Sequence, residues 1–173
     1  VINNPDYQLM TERYGNHLDK GGDVYWDLFR VNNQNRGSGN KEAILVLQIE
    51  YPTPGGGTES HPSWPGHVAE RAWGPRYEVL KDPNGKNGMS RVDSLGRPVG
   101  WIRPTHHVLN TIWQSDWNDM RNSKWNIQRD WFYNNKNSAY FGQKVTTLFD
   151  PASDSIRNYF PYFKKITHPE GWP

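Results

Sequence analysis

The sequence contains no cysteine and no long apolar segment. Its 173 residues therefore exclude disulfides and thiolate zinc sites. No run of about 18 apolar residues occurs, so no segment predicts a membrane-spanning helix. The formal net charge is only +2, and the short basic pair Lys164-Lys165 is too small to be the basic patch that nucleic-acid-binding proteins present. We therefore do not expect nucleic acid to be a partner.

Motifs for catalysis are also missing. The sequence has no nucleophile elbow, no phosphate-binding glycine loop and no paired histidine–glutamate motif. A glycosidase needs two carboxylates about 5 to 10 Å apart. The candidates by residue type are Glu59, Glu70, Asp116 and Asp119. Nothing in the sequence places two of them together, so we expect a protein that is not an enzyme.

Possible metal ligands are few and poorly spaced. They are His61, His67, His106, His107, Asp150 and Asp154. Zinc needs three or four converging ligands, and neighbouring histidines on a helix point in different directions. The two aspartates could offer oxygen ligands to calcium, but they lack the glycine and glutamate of a dedicated calcium loop. We expect no metal and no other cofactor.

Aromatic and turn-forming residues are abundant. The chain has nine Trp, nine Tyr, 16 Gly and 13 Pro. Disordered chains combine high net charge with few aromatic residues, which is the opposite of this composition. The tryptophans and tyrosines can supply burial that aliphatic residues usually supply. The composition thus predicts an ordered structure with many loops.

The first part of the chain predicts a helix followed by a strand. Residues 1–31 have helical character with breaks at Gly15-Asn16 and Gly21-Gly22. Two apolar pairs spaced four apart would share one helix face. These pairs are Val24 with Leu28 and Tyr25 with Phe29. The polar segment 32–41 is rich in asparagine and glycine, which end helices. Residues 42–50 predict a strand, and residues 43–47 are apolar on both alternating faces, as in a strand that is covered on both sides.

The last part of the chain predicts one clear helix and two extended segments. Residues 104–114 form the helix, with Thr105 as its N-terminal cap and Trp113 on its buried stripe with Val108, Leu109 and Ile112. Residues 126–133 alternate between two faces and predict a strand, and the aromatic segment 159–166 is expected to be extended. Of the tryptophans near residues 116–131, Trp117 is expected to be the most exposed.

The loop-rich segment from about 52 to 99 is the region where we expect a binding site. It contains two predicted tight turns, Asn84-Gly85 and Asn87-Gly88. So long a loop within a compact domain is usually functional or disordered. Its candidate ligand contacts are Trp64, Trp73, Arg76 and Tyr77. Aromatic rings can stack on the C–H face of a sugar while a polar group binds the hydroxyls. The alternative is that these tryptophans only pin the loop to the scaffold, which is the role we favour for Trp101.

Several motifs in one order carry a family resemblance. Asp27-Leu28-Phe29-Arg30 leads into the asparagine-rich turn and the corner Gly39-Asn40-Lys41-Glu42. Further along come Arg103-Pro104-Thr105, Asp119-Met120-Arg121 and Phe160-Pro161-Tyr162-Phe163. This order resembles the SusD/RagB family of cell-surface glycan-binding lipoproteins. The resemblance covers most of the chain except the segment from about 52 to 99.

The resemblance implies both a fold and a function. The fold would be α-dominated, with much irregular loop and a small β element, as the central to C-terminal portion of a SusD-like superhelix of tetratricopeptide-type repeats. Residues 1–173 would form a single partial domain and an internal piece of a longer chain. The whole protein would be lipid-anchored at the outer membrane, where it captures oligosaccharides for a SusC-like TonB-dependent transporter. Two alternatives remain: a peptide ligand, or a packing role with the glycan site elsewhere.

Overall fold

The computed structural model describes residues 3–46, 69–145 and 155–167. Contacts divide the chain into two compact units, Val1–Val68 and Ala69–Pro173, whereas the sequence predicts a single partial domain. The described backbone is mostly irregular, with few helices. The predicted α-dominated fold with a repeat superhelix stays a prediction. Within the described ranges, no helix has the length and apolar character needed to cross a membrane.

The regular elements are short. Each α-helix has four residues: α1 Val24–Asp27, α2 Ala69–Ala72, α3 His106–Leu109 and α4 Ser155–Asn158. Single 3-10 turns occupy Arg36–Ser38, Tyr77–Val79, Asp93–Leu95, Thr111–Trp113, Met120–Asn122 and Lys164–Ile166. Strands β1 Ile127–Gln128 and β2 Tyr162–Phe163 pair antiparallel, with Ile127 opposite Phe163. Most of the described residues therefore lie in loops.

In the first unit, helix α1 forms where the apolar pairs predict it but is much shorter than residues 1–31. Asp23 caps it by accepting a hydrogen bond from the Trp26 N–H at 2.8 Å. The rings of Tyr25 and Phe29 meet edge to face at 5.2 Å, which confirms that predicted pair. Gly15 has a positive φ of 82°. That left-handed conformation interrupts a helix before α1.

The predicted strand over 42–50 is wrong for its described part. Residues 42–46 are irregular, and Ile44 and Leu45 are 64% and 81% exposed. Residues 47–50 lie outside the described residues. An apolar run predicts a buried strand only if a neighbouring strand pairs with it, and no such pairing occurs among residues 42–46.

In the second unit, the core surrounds Trp131. Its ring stacks on Tyr162 at 5.7 Å and lies 5.5 Å from Tyr77. Other buried members of this core are Leu80, Met89, Tyr133, Val145 and Phe160. Trp131 and Tyr133 are buried while the intervening Phe132 is half exposed. The predicted alternation is therefore confirmed for residues 131–133, whereas Asn126 and Ile127 are both buried. The paired strand β1 covers only two residues of the predicted range.

The predicted helix over 104–114 is present but broken. Thr105 Oγ1 accepts a hydrogen bond from the Val108 N–H at 3.3 Å, which confirms the predicted cap. At Asn110 the backbone leaves helical geometry, and a 3-10 turn follows. Leu109 and Trp113 are buried against Ile127, as the predicted stripe requires. Ile112 is 43% exposed and so lies outside that stripe.

One of the two predicted tight turns is confirmed. Gly85 has a φ of +74°, and the preceding Asp82 accepts hydrogen bonds from the N–H groups of Asn84 and Lys86. The Asn87-Gly88 turn is wrong, because Asn87 pairs with Lys81 in a β-bridge. Gly88 instead allows the ring of Tyr133 to pack closely against the backbone. A Cβ there would lie 2.4 Å from Cδ1 of Tyr133.

We expect the free energy of unfolding to depend on pH through Asp82. Its carboxylate accepts a hydrogen bond from Ser138 Oγ at 2.6 Å, and this bond, with two backbone N–H groups, holds the pKa of Asp82 below its usual value. A lowered folded pKa stabilises the protein above the unfolded pKa of about 3.9, and the stabilisation is lost as pH falls through the folded pKa. Asp82→Asn should therefore unfold at lower urea concentration than the parent at pH 7, with a smaller difference at pH 3. An equal difference at both pH values would contradict this.

Candidate functional site

The candidate site is built at the end of helix α2. The last carbonyls of a helix have no partners within the helix. Here the N–H groups of Val99 and Ile102 donate to the carbonyls of Arg71 and Ala72 at 2.8 and 2.9 Å. The N–H of Gly100 donates to the Gly74 carbonyl at 2.8 Å. Segments 71–74 and 99–102 are thereby joined.

Arg157 of helix α4 forms hydrogen bonds with the backbone of both Arg76 and Val99. The carbonyl of Arg157 accepts a hydrogen bond from the Arg76 N–H at 3.0 Å. Its Nε donates to the carbonyl of Val99 at 2.7 Å. Gly100 has a φ of +71°, and a Cβ at this position would lie 2.3 Å from the Arg157 carbonyl oxygen. The close approach of α4 therefore requires glycine at position 100.

Two tryptophans are displayed on the joined segments. Trp73 is 45% exposed and Trp101 is 46% exposed. Their backbones are neighbours, since hydrogen bonds join residues 72 and 74 to residues 102 and 100 on either side of them. The sequence analysis favours a packing role for Trp101, and the structure instead leaves nearly half of that side chain accessible. Trp101 belongs to no periodic pattern, so the sequence carried little signal for this placement.

Arg76 is exposed beside this surface and is held by a carboxylate. Its Nε lies 3.4 Å from Oε1 of Glu78, and Arg91 Nη2 lies 3.1 Å from the same oxygen. The contact with Glu78 does not use the terminal nitrogens of Arg76. The Arg76 side chain is 44% exposed, and a guanidinium can donate to hydroxyl or carboxylate groups. The polar role that the sequence predicts for Arg76 stays a prediction.

The structure corrects the prediction for Tyr77. Its side chain is 0% exposed and packs on Trp131 in the core. Its hydroxyl donates to the Gly96 carbonyl at 2.8 Å and accepts from the Val92 N–H at 3.1 Å. A ring with no exposed face cannot stack on a ligand, so Tyr77 is a core residue and not a ligand contact. The fourth predicted contact, Trp64, lies outside the described residues.

The other candidate chemistries find no support in the described residues. These contain no group of three histidine, cysteine, aspartate or glutamate side chains that could hold a metal. His61, His67, Asp150, Asp154 and Glu59 lie outside the described residues, as does the side chain of Glu70. Asp119 is paired with Arg121, whose hydrogen bond lowers the pKa of that carboxyl. A general acid needs a raised pKa, so this environment is the opposite of the one required.

Comparisons with protein-family models, with curated proteins and with solved structures find no match to this chain. The resemblance to the SusD/RagB family therefore rests on the order of the sequence motifs alone. The site itself is defined by its own geometry. It consists of Trp73, Trp101 and Arg76 on backbone segments that Arg157 fixes.

Proposed function

We propose that this protein captures oligosaccharides at the cell surface without chemical conversion. Its cargo would pass to a SusC-like TonB-dependent transporter, and a lipid anchor would hold the full-length protein at the outer membrane. The family resemblance supports the location and the transporter. The observation that carries the ligand class is the pair of half-exposed tryptophans on joined segments beside Arg76.

The chemistry of this surface suits sugars. A pyranose ring has a face of C–H groups that packs on an indole, while its hydroxyls require donors and acceptors at the edge. Trp73 and Trp101 supply two indoles, and Arg76 supplies the donors. Sugar hydroxyls exchange bonds with water for bonds with the protein, so the net gain per hydrogen bond is only about 1 kcal/mol. Modest affinity is appropriate for a protein that must release its cargo.

The surface is also rigid before any ligand binds. Backbone hydrogen bonds join the two tryptophan segments, and Gly100 allows the close contact with Arg157. Ordering loops and side chains during binding lowers affinity, and a surface that is already ordered avoids this cost. The fixed backbone therefore supports a binding role for the two indoles.

Substituting the two tryptophans tests the proposal. Trp73→Ala and Trp101→Ala should each weaken oligosaccharide binding by about 2- to 13-fold, since stacking on one aromatic ring contributes about 0.5–1.5 kcal/mol. The measurement is calorimetric titration of the full chain with a panel of neutral hexasaccharides. Melting temperatures should change little, because both side chains are about half exposed.

Phe141→Ala is the matched control, because Phe141 is 52% exposed and belongs to another surface loop. It should leave affinity unchanged. A large fall in melting temperature for the tryptophan variants would instead support the packing alternative. Unchanged affinity in both tryptophan variants would overturn the candidate site, and no binding to any sugar by the parent would contradict the proposed function.

A further inference from the structure

A third exposed tryptophan lies on a hydrogen-bonded turn between α3 and β1. Trp117 is 53% exposed. Its own carbonyl accepts a hydrogen bond from Asn122 Nδ2 at 3.0 Å. The preceding residue, Asp116, donates its N–H to the Trp113 carbonyl at 3.0 Å and accepts at its carboxylate from the Asn118 N–H at 2.9 Å. The turn is thus fixed on both sides of Trp117.

The Trp117 ring is supported by a cation. The guanidinium carbon of Arg129 lies 6.0 Å from the ring centroid, within the range of a cation–π contact. Arg129 is itself held in place, because its Nη2 donates to the Leu109 carbonyl at 2.7 Å and to Asn122 Oδ1 at 2.6 Å. The indole therefore rests on an anchored side chain while about half of its surface meets water.

The exposure of Trp117 differs from the burial of two nearby tryptophans in the same unit. Trp113 is four residues away and only 6% exposed, and Trp131 is 1% exposed. A large apolar side chain gains free energy from burial, so holding it half exposed in a fixed turn has a cost. That arrangement presents a flat apolar surface on a rigid support, as binding sites do.

The polar groups around the ring indicate the ligand class. Exposed side chains flank it in the chain, with Gln114, Asp116 and Asn118 offering carboxylate and amide groups. The carboxylate of Asp119 is less available to a ligand, because Arg121 forms an ion pair with it. Exposed amide and carboxylate groups next to an aromatic residue in the chain match the hydroxyls and the C–H face of a sugar.

We propose that Trp117 is a second sugar-stacking platform, which binds one pyranose ring of a neutral oligosaccharide while Asp116 and Asn118 hydrogen-bond its hydroxyls. This inference rests on the proposed function for its ligand class, but it uses none of the residues of the first site. Two platforms on one chain would increase the retention of a long glycan, because the second contact forms at a high effective concentration.

The test compares single variants of the full chain by calorimetric titration with neutral hexasaccharides. Trp117→Ala should weaken binding of at least one of them by about 3-fold or more, and Trp117→Tyr should restore most of the affinity because it keeps a ring. Met120→Ala is the control, since Met120 is 46% exposed on the same turn. Unchanged affinity in Trp117→Ala, or an equal loss in Met120→Ala, would overturn the assignment.

The binding measurements distinguish the proposed function from the Trp117 platform. If only Trp73→Ala and Trp101→Ala lose affinity, the proposed function holds and the Trp117 platform is overturned. If only Trp117→Ala loses affinity, the platform holds and the first site is overturned. A parent protein that binds none of the sugars overturns both.

Discussion

Trp131→Ala should lower the free energy of unfolding by about 3–5 kcal/mol, the range found when large aromatic side chains are removed from protein cores. Trp131 is 1% exposed and contacts the rings of Tyr77, Tyr159 and Tyr162. Alanine would leave a cavity among these tyrosines, and their hydroxyls are already fixed to backbone carbonyls, as at Gly96 and Leu95. The tyrosines therefore have little freedom to fill the space.

Urea unfolding followed by circular dichroism measures this effect, and Trp131→Phe is the matched control. Phenylalanine keeps a ring in the core and removes the indole Nε1, which is buried without a hydrogen-bond partner among the described residues. An unpaired buried N–H has a cost of about 1–3 kcal/mol, so its removal offsets part of the lost packing. Phenylalanine should therefore cost clearly less than alanine. Equal losses in the two variants would contradict the packing argument.

Asp27→Ala should destabilise the first unit by about 3 kcal/mol, the lower end of the range for breaking a buried ion pair. The Asp27 side chain is fully buried and accepts two hydrogen bonds from Arg13, at 2.8 and 2.9 Å. It also accepts from the Tyr14 N–H at 3.2 Å. The Arg13 side chain is 26% exposed, so water can partly solvate its charge when the carboxylate is removed.

Amide hydrogen exchange across residues 13–33 is the appropriate measurement, because it reports on the region around this ion pair. Exchange at Tyr14 should rise at least 10-fold in Asp27→Ala. In Arg13→Lys the exchange rate should rise less than in Asp27→Ala, because lysine keeps the positive charge. Some rise is expected because lysine cannot donate two parallel hydrogen bonds to one carboxylate. Exchange that stays at the parent rate in Asp27→Ala would show that the pair does not stabilise this region.

Local features were predictable from the sequence. The Thr105 cap, the Tyr25–Phe29 contact and the alternation of Trp131 and Tyr133 each depend on residues only a few positions apart. Spacing in the sequence sets such contacts directly through the periods of helix and strand. The exposure of Trp117 could also be expected, because it lies in a polar turn between the helix and the strand.

Features that depend on distant residues were not predictable. Tyr77 and Trp101 have similar local surroundings of proline, glycine and arginine, yet one is buried and the other is half exposed. Tyr77 is buried because its hydroxyl reaches Gly96, 19 residues away. Trp101 is displayed because Arg157 fixes the neighbouring Val99 from 58 residues away. Composition and periodicity carry no information about such pairings.

The dependence of the candidate site on Arg157 also sets the order in which it can assemble. Chains are synthesised from the N-terminus, and domains fold as their segments emerge from the ribosome. Trp73, Arg76 and Trp101 emerge long before α4, which supplies the contacts that fix their backbone. Until α4 is available, Trp73 and Trp101 lie on segments that lack the hydrogen bonds from Arg157. The candidate site therefore matures only after residue 157 has emerged, and a ribosome that stalls before that residue releases a product without it.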